Sequence, residues 1–270
     1  MSTDRIAPAP VGVRCVRQAS APDPLRVLLL HGLCSGADVW DAFVPLADPR
    51  CEIWAAELPW RGTGIKGWTT RPVEEWVDKA VEAVPGGPDV LVAHSFGTNC
   101  ALTWLDRDAT GTGGSSAAGA RPLRGVVLVS PLYRAVPEDF DWETIAYYFN
   151  NFDRILVAGM QARLGRRLAE EHQQAIALKV RDFMGPYGWL RFFDTYLRMP
   201  AVRTERLEMP FLVVGGASDR VAFPSDAEAL ARTLPDASVR ILPHTEHFPM
   251  VSSAKSFAEV TNAFLHDLPA

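Results

Sequence analysis

Ser95 stands between two apolar segments of different character in this 270-residue sequence. Residues 89–93 form a short apolar run typical of a strand buried on both faces, and residues 98–105 favour a buried helix. A tight turn between the two requires small residues, and Ala93 and Gly97 flank the serine. Such a turn lifts the hydroxyl above the sheet at a helix N-terminus, where it can act as a nucleophile. A serine that only caps the helix is the alternative interpretation.

Residues 93–97, A-H-S-F-G, resemble the nucleophile elbow G-x-S-x-G of the α/β-hydrolase family, with alanine at the first glycine position. The resemblance extends over residues 25–268. Residues 28–33, L-L-L-H-G-L, are similar to the family's strand and the His-Gly loop that follows it. The resemblance implies an oxyanion hole made by the backbone N–H groups of Leu33 and Phe96.

The same resemblance implies an acid and a base. The family places its catalytic carboxylate in a G-x-x-D turn after a strand, and Asp219 occupies that position, with Asp226 as the alternative. The family's histidine loop reads G-H-F-P. His247 precedes Phe-Pro here, with a glutamate in place of the glycine and His244 as the competing histidine. The implied triad of Ser95, Asp219 and His247 has the chain order of this fold.

Short strand-like runs that alternate with helix-like segments must position these residues. This alternation predicts an α/β fold with a mostly parallel central sheet flanked by helices. The predicted strands are residues 11–16, 25–30, 51–56, 89–93, 124–130, 211–214 and 239–242. The predicted helices outside the 136–206 segment are residues 37–46, 73–84, 98–105 and 257–265. Residues 106–122 are rich in glycine, serine and alanine and are predicted to form a flexible surface loop.

Residues 136–206 hold long helical patterns and 12 of the 26 aromatic residues of the chain. The resemblance implies that they form a helical cap inserted in an α/β-hydrolase core of residues 1–135 and 207–270. Their aromatic side chains either form the cap's own core or line an apolar substrate pocket, and both interpretations stay open. The candidate substrate-binding residues are Trp60, Trp142, Tyr148 and Trp189. For Trp60, in a loop beside the family's pocket entrance, packing in the core is equally consistent.

Composition and charge limit the partners of the chain. The formal net charge is −5 and no run of basic residues is present, which argues against nucleic acid and anionic membrane. No apolar run approaches the roughly 18 residues of a membrane span. Residues 1–12 lack the apolar core of a signal peptide, so the expected location is the cytoplasm.

The cysteines and glycines give no metal or phosphate motif. Cys15, Cys34, Cys51 and Cys100 form no C-x-x-C pair and no zinc spacing. No phosphate-binding glycine loop is present. We therefore expect neither a metal nor a cofactor.

Taken with the resemblance, these features predict a serine hydrolase that cleaves a carboxylic ester or thioester of an apolar acyl substrate through an acyl-enzyme. The substrate is a small molecule, either free or attached to a carrier.

A biosynthetic acyltransferase or cyclase is the main alternative on the same triad. A carbon–carbon bond hydrolase is a further alternative, disfavoured by His94 where those enzymes usually carry asparagine. A ligand receptor on this fold is the non-enzymatic alternative. The oligomeric state is left open.

Overall fold

The computed structural model describes residues 11–20, 22–61, 67–109, 122–164 and 169–269. Within them the strands form a seven-stranded sheet in the order β1-β3-β2-β4-β5-β6-β7. Its strands are β1 (Gly12–Arg17), β2 (Leu25–Leu30), β3 (Cys51–Glu57), β4 (Val90–His94), β5 (Gly125–Val129), β6 (Phe211–Gly216) and β7 (Ala237–Leu242). Strand β1 pairs with β3 antiparallel, and all other neighbours are parallel. The predicted fold class is confirmed.

Seven α-helices lie among the described residues. They are α1 (Val73–Glu82), α2 (Phe96–Ala109), α3 (Trp142–Leu164), α4 (Glu170–Leu197), α5 (Pro224–Thr233), α6 (Pro249–Ser252) and α7 (Ala254–Asp267). Along β4, Leu91 and Ala93 face one apolar core, and Val90 and Val92 face the other. A strand covered on both faces must be apolar at every position, which explains the continuous apolar runs.

The parallel register brings the candidate site residues to one edge of the sheet. Leu30 pairs with Ala93, and His94 pairs with Val129. The strands therefore end level with one another, and the chain after each strand emerges at the same edge. This carboxyl-terminal edge is where open α/β sheets place their ligands.

Two predicted segments differ from the structure. Residues 37–46 form two short 3-10 helices, Ala37–Trp40 and Val44–Leu46, because Pro45 cannot donate the backbone hydrogen bond of a continuous helix. Helix α2 runs on through Asp106–Ala109, which was predicted as loop. Its polar last turn is held by ion pairs, Arg107 with Asp78 and Asp106 with Arg203. The rest of the predicted loop, residues 110–121, lies outside the described residues.

The chain between β5 and β6 contains the two longest helices, α3 and α4. Helix α4 is broken at Gly185, whose φ of 64° and ψ of 173° lie outside the helical region, and Pro186 follows it. Glycine is required here because other residues rarely adopt a positive φ. In the part of the chain that the structure describes, no helix is long and apolar enough to cross a membrane.

Candidate active site

Ser95 occupies a strained turn between β4 and α2. Its φ is 53°, and its backbone N–H donates to the carbonyl of Val129 at 2.8 Å. A Cβ atom at Gly97 would lie 2.8 Å from the carbonyl oxygen of His31, so only glycine fits there. Ala93 is fully buried in β4, which accommodates its single methyl group. The turn is therefore built on small residues at both sides, and it points the serine away from the strand.

Ser95, His247 and Asp219 form one chain of hydrogen bonds. The Ser95 hydroxyl lies 2.9 Å from Nε2 of His247, and Nδ1 of His247 lies 2.9 Å from Oδ2 of Asp219. The other carboxylate oxygen of Asp219 accepts the backbone N–H groups of Val221 and Ala222 at 2.8 and 3.0 Å. Since a carboxylate only accepts, His247 carries its proton on Nδ1 and offers Nε2 as a base toward the serine.

The loop after β2 lies against this serine. The His31 ring is fixed within the loop, because Nδ1 donates to the Gly32 carbonyl at 2.8 Å and Nε2 accepts the Leu58 N–H at 2.9 Å. A Cβ atom at Gly32 would lie 2.9 Å from Cβ of Ser95. Among the described residues, neither the Leu33 N–H nor the Phe96 N–H has a hydrogen-bond acceptor. Both donors are thus available to an incoming oxyanion.

The competing acid and base lie outside this chain of hydrogen bonds. Asp226 forms an ion pair with Arg134 at 2.9 Å, and its carboxylate is fully buried. Burial raises the pKa of Asp226 to about 7 in spite of that partner. His244 is exposed and adopts a φ of 53° in the turn before the histidine loop.

Three of the four candidate substrate-binding residues are packed in ways that sequence does not reveal. Trp60 is fully buried and donates its indole N–H to the His31 carbonyl at 3.1 Å. Tyr148 is also buried, and its hydroxyl donates to the Val221 carbonyl at 2.8 Å, beside Asp219. Trp189 stacks on Phe192, with ring centroids 5.1 Å apart.

Trp142 differs from these three, because 85% of its surface is exposed. The structure therefore does not bring the four aromatic residues into one site. Trp60 and Tyr148 support the loops that follow β2 and β6, and Trp189 borders a groove.

A groove of about 450 Å³ opens beside Trp189 where α4 is broken. Its lining is mostly apolar, with one arginine and one aspartate, and consists of Phe149, Arg181, Asp182, Met184, Gly185, Pro186 and Trp189. Sequence analysis did not assign Phe149 or Met184 to a site. The helix-breaking pair Gly185-Pro186 within the helical pattern is the sequence signal that could have indicated an irregular position there.

Two contacts connect this groove with Cys34, beside Leu33, and with Phe96. The Cys34 thiol, next to Leu33, lies 3.4 Å from the Met184 sulfur. The Phe192 ring stacks on Trp189, and its centroid lies 5.7 Å from the centroid of the Phe96 ring. Burial raises the pKa of Cys34 to about 12, so this thiol packs and does not supply a thiolate.

No group of three or more His, Cys, Asp or Glu side chains with a geometry for metal binding occurs in the described part of the chain. The chain of hydrogen bonds from Ser95 through His247 to Asp219 provides a path for proton transfer, and beside it the Leu33 and Phe96 N–H groups have no acceptor among the described residues. An arrangement of this kind can activate a hydroxyl as a nucleophile and stabilise an oxyanion.

Comparison with known families agrees with this geometry. A model of the alpha/beta hydrolase family matches residues 27–260. The chain therefore belongs to the alpha/beta hydrolase family, and it is an enzyme of the hydrolase type. No curated protein matches it in sequence.

Solved structures share the fold at low identity. Est816, an N-acyl homoserine lactone degrading enzyme, is 19% identical with a TM-score of 0.65, over 94% of this chain and 97% of that one. The enol-lactonase from Burkholderia xenovorans LB400 is 16% identical with a TM-score of 0.62, over 95% and 96%. The bromoperoxidase from Bacillus anthracis is 16% identical with a TM-score of 0.68, over 96% and 97%.

Proposed function

We propose that this protein is a serine hydrolase that cleaves carboxylic esters or thioesters with an apolar acyl group. The observation that carries the proposal is the unbroken chain of hydrogen bonds from Ser95 Oγ through His247 to Asp219, with a distance of 2.9 Å at each of its two links. All three side chains are almost fully buried, which keeps their geometry fixed and strengthens their electrostatic coupling.

In the first step, the Ser95 oxygen bonds to the substrate carbonyl carbon while its proton passes to Nε2 of His247. The carbonyl π electrons move to oxygen, and the Leu33 and Phe96 N–H groups stabilise that oxyanion. When the C=O bond re-forms, the bond to the alcohol or thiol breaks, and the leaving group takes the proton from His247. The acyl group is then attached to Ser95.

Water completes the cycle by the same route in reverse. It attacks the acyl carbon as its proton passes to His247, the oxyanion forms again, and the bond to Ser95 breaks. Ser95 recovers its proton, and the carboxylic acid leaves. Asp219 holds the imidazole in the required tautomer and stabilises its charged form at each step.

The apolar acyl group is proposed from the groove. We place residues 136–206 as the cap, and the groove on α4 adjoins both proposed oxyanion residues through Met184 and Phe192. Phe149, Met184 and Trp189 offer mainly hydrocarbon and aromatic surface, which favours an alkyl or aryl chain. Of the candidate substrate-binding residues, Trp189 is the one placed to contact that chain.

Covalent labelling combined with an ester panel tests the proposal. A fluorophosphonate is expected to add one phosphonyl group per chain by intact mass, and Ser95→Ala is expected to remove that addition. The panel contains p-nitrophenyl esters, alkyl thioesters and lactones, the last because two of the structural neighbours act on lactones. An added alcohol or amine distinguishes hydrolysis from acyl transfer by its product. Absence of labelling together with absence of turnover on the whole panel would contradict the proposal.

A further inference from the structure

His94 and Ser95 are consecutive residues that bind two parts of one histidine. Nε2–H of His94 donates to the backbone carbonyl of His247 at 2.8 Å, while Ser95 meets the His247 ring. A carbonyl oxygen only accepts, so this contact fixes His94 in the tautomer with its proton on Nε2. His94, the last residue of β4, therefore holds the backbone of His247, and the His247 side chain reaches Ser95.

The His94 ring also packs against the histidine loop. Its centroid lies 5.0 Å from that of His247 and 4.9 Å from that of Phe248, and Trp40 contacts it edge-on at 6.4 Å. Burial lowers the pKa of His94 well below its usual range, and the facing His247 lowers it further. The ring is thus a neutral support that stays uncharged when His247 takes up a proton.

We infer that His94 is a positioning residue that holds the His247 loop in register with both Ser95 and Asp219. The loop follows β7, whereas Ser95 follows β4, three strands away in the sheet. The bond from His94 ties the loop to β4 at the point where its histidine must act. The catalytic consequence of this inference rests on the proposed serine hydrolase activity, while the structural consequence does not.

Three substitutions of His94 separate positioning from packing. His94→Leu fills a similar volume with an apolar side chain and removes the N–H donor. His94→Gln places an amide N–H near the position of Nε2, and His94→Asn keeps a polar side chain that is too short to reach the carbonyl. Phe43→Leu is the control for core destabilisation, because Phe43 packs in the same core against Trp40 and Phe257, away from the triad.

Turnover is measured per active site, after titration with a p-nitrophenyl phosphonate. His94→Leu and His94→Asn are expected to lower kcat about 10- to 100-fold with KM almost unchanged, because displacing a catalytic group by about 1 Å costs about 100-fold. His94→Gln is expected to recover most of that loss, and Phe43→Leu is expected to keep the wild-type kcat per site. Equal kcat in all four variants would overturn the inference. If His94→Leu does not fold, His94→Asn carries the comparison.

Proton NMR tests the same inference without turnover. The His247 Nδ1–H bonded to Asp219 is expected to give a downfield signal in the wild type and in His94→Gln. We expect this signal to broaden or shift upfield in His94→Asn and His94→Leu. An unchanged signal in both would overturn the inference even for an inactive enzyme. A wild type with this signal but no labelling and no ester turnover would instead contradict the proposed function alone.

Discussion

The Ser95 hydroxyl lies 2.9 Å from Nε2 of His247, although the two residues are 152 positions apart in the chain. Strands β4 and β7, which lead to them, are three positions apart in the sheet, a distance of about 14 Å at the usual strand spacing. The loop after β7 must therefore cross back over the ends of β6 and β5. It passes so close to Gly216 that a Cβ atom there would lie 2.4 Å from the Thr245 carbonyl oxygen.

Removal of the Ser95 hydroxyl is expected to abolish activity and leave the fold intact. In Ser95→Ala, ester turnover should fall by a factor on the order of 10⁶, because the nucleophile and its base act as a unit. The melting temperature should stay within about 3 °C of the wild type, since the lost group contributes one hydrogen bond. Turnover is measured on a hexanoate ester, and melting by circular dichroism.

Ser130→Ala is the matched control for this substitution. Ser130 is also a buried serine with a positive φ, of 48°, and it follows the neighbouring strand β5. Its variant should keep turnover within a few-fold of the wild type. Near wild-type turnover in a folded Ser95→Ala sample would contradict the assignment of the nucleophile.

Closing the gap at Gly216 should disturb the triad through the backbone. In Gly216→Ala the added methyl must push the Thr245 and Glu246 carbonyls away, because both would lie within 2.5 Å of it. We expect a loss of about 1–3 kcal/mol in the free energy of unfolding and a fall of about 10- to 100-fold in kcat. Urea unfolding and ester kinetics measure the two effects.

Gly12→Ala is the control for a glycine without such contact. A Cβ atom at Gly12 would lie 3.5 Å from Cβ of Glu57, an ordinary distance, at the edge strand of the sheet. Its stability should change by no more than about 0.5 kcal/mol, with unchanged kcat. A Gly216→Ala variant as stable and active as Gly12→Ala would show that the histidine loop tolerates displacement.

The strands and the chain order of the candidate site residues were predictable, because the strands appear as short apolar runs and the site residues lie in short sequence motifs. The run at residues 25–30 coincides with β2, whose last four residues, 27–30, are apolar and buried as the sheet covered on both faces requires. The packing of the aromatic residues in segment 136–206 was less predictable. Trp142 and Tyr148 lie six residues apart on α3, yet one is 85% exposed and the other 1%. Which of them packs depends on the tertiary partners Val221 and Tyr196, and no spacing along α3 encodes these contacts.

His94 shows the same limit at the site itself. The elbow pattern constrains the residues around the serine by size and leaves this position unspecified, so its contact with the His247 carbonyl depends on the path that the loop after β7 takes in the folded chain. Asp219 was separable from Asp226 only through the family motif. In the structure the difference is physical, since Asp219 faces His247 and Asp226 faces Arg134.

The groove on α4 should make activity depend on acyl chain length. Each methylene buried in it adds up to about 0.8 kcal/mol, or about fourfold in kcat/KM. We expect kcat/KM to rise severalfold from p-nitrophenyl acetate to the hexanoate. Trp189→Ala should remove most of that preference and bring the series close to flat, because it removes one wall of the groove.

Tyr187→Ala is the control for the chain-length series. Tyr187 is an aromatic residue on the same helix, but 76% of its surface is exposed and it does not line the groove. This variant should keep the wild-type preference for long chains. A flat series in the wild type, or equal effects of the two substitutions, would place the acyl chain elsewhere.

The buried carboxylate of Asp226 should make the stability of the protein depend on pH. Burial raises its pKa from 3.8 to about 7, so between these values the folded state holds a proton that the unfolded state releases. This contribution to stability is complete below pH 4 and is lost as pH rises through 7.

Asp226→Asn removes the titration while keeping the shape of the side chain. From pH 5 to pH 8, the wild type should therefore lose about 2–3 kcal/mol more of its unfolding free energy than Asp226→Asn does. Urea unfolding at pH 5, 6, 7 and 8 measures how the unfolding free energy of each protein changes with pH. Asp267→Asn is the control, because it removes a carboxylate that is 83% exposed. This control is expected to follow the wild type. Parallel slopes for the wild type and Asp226→Asn would show that Asp226 stays ionised against Arg134 throughout this range.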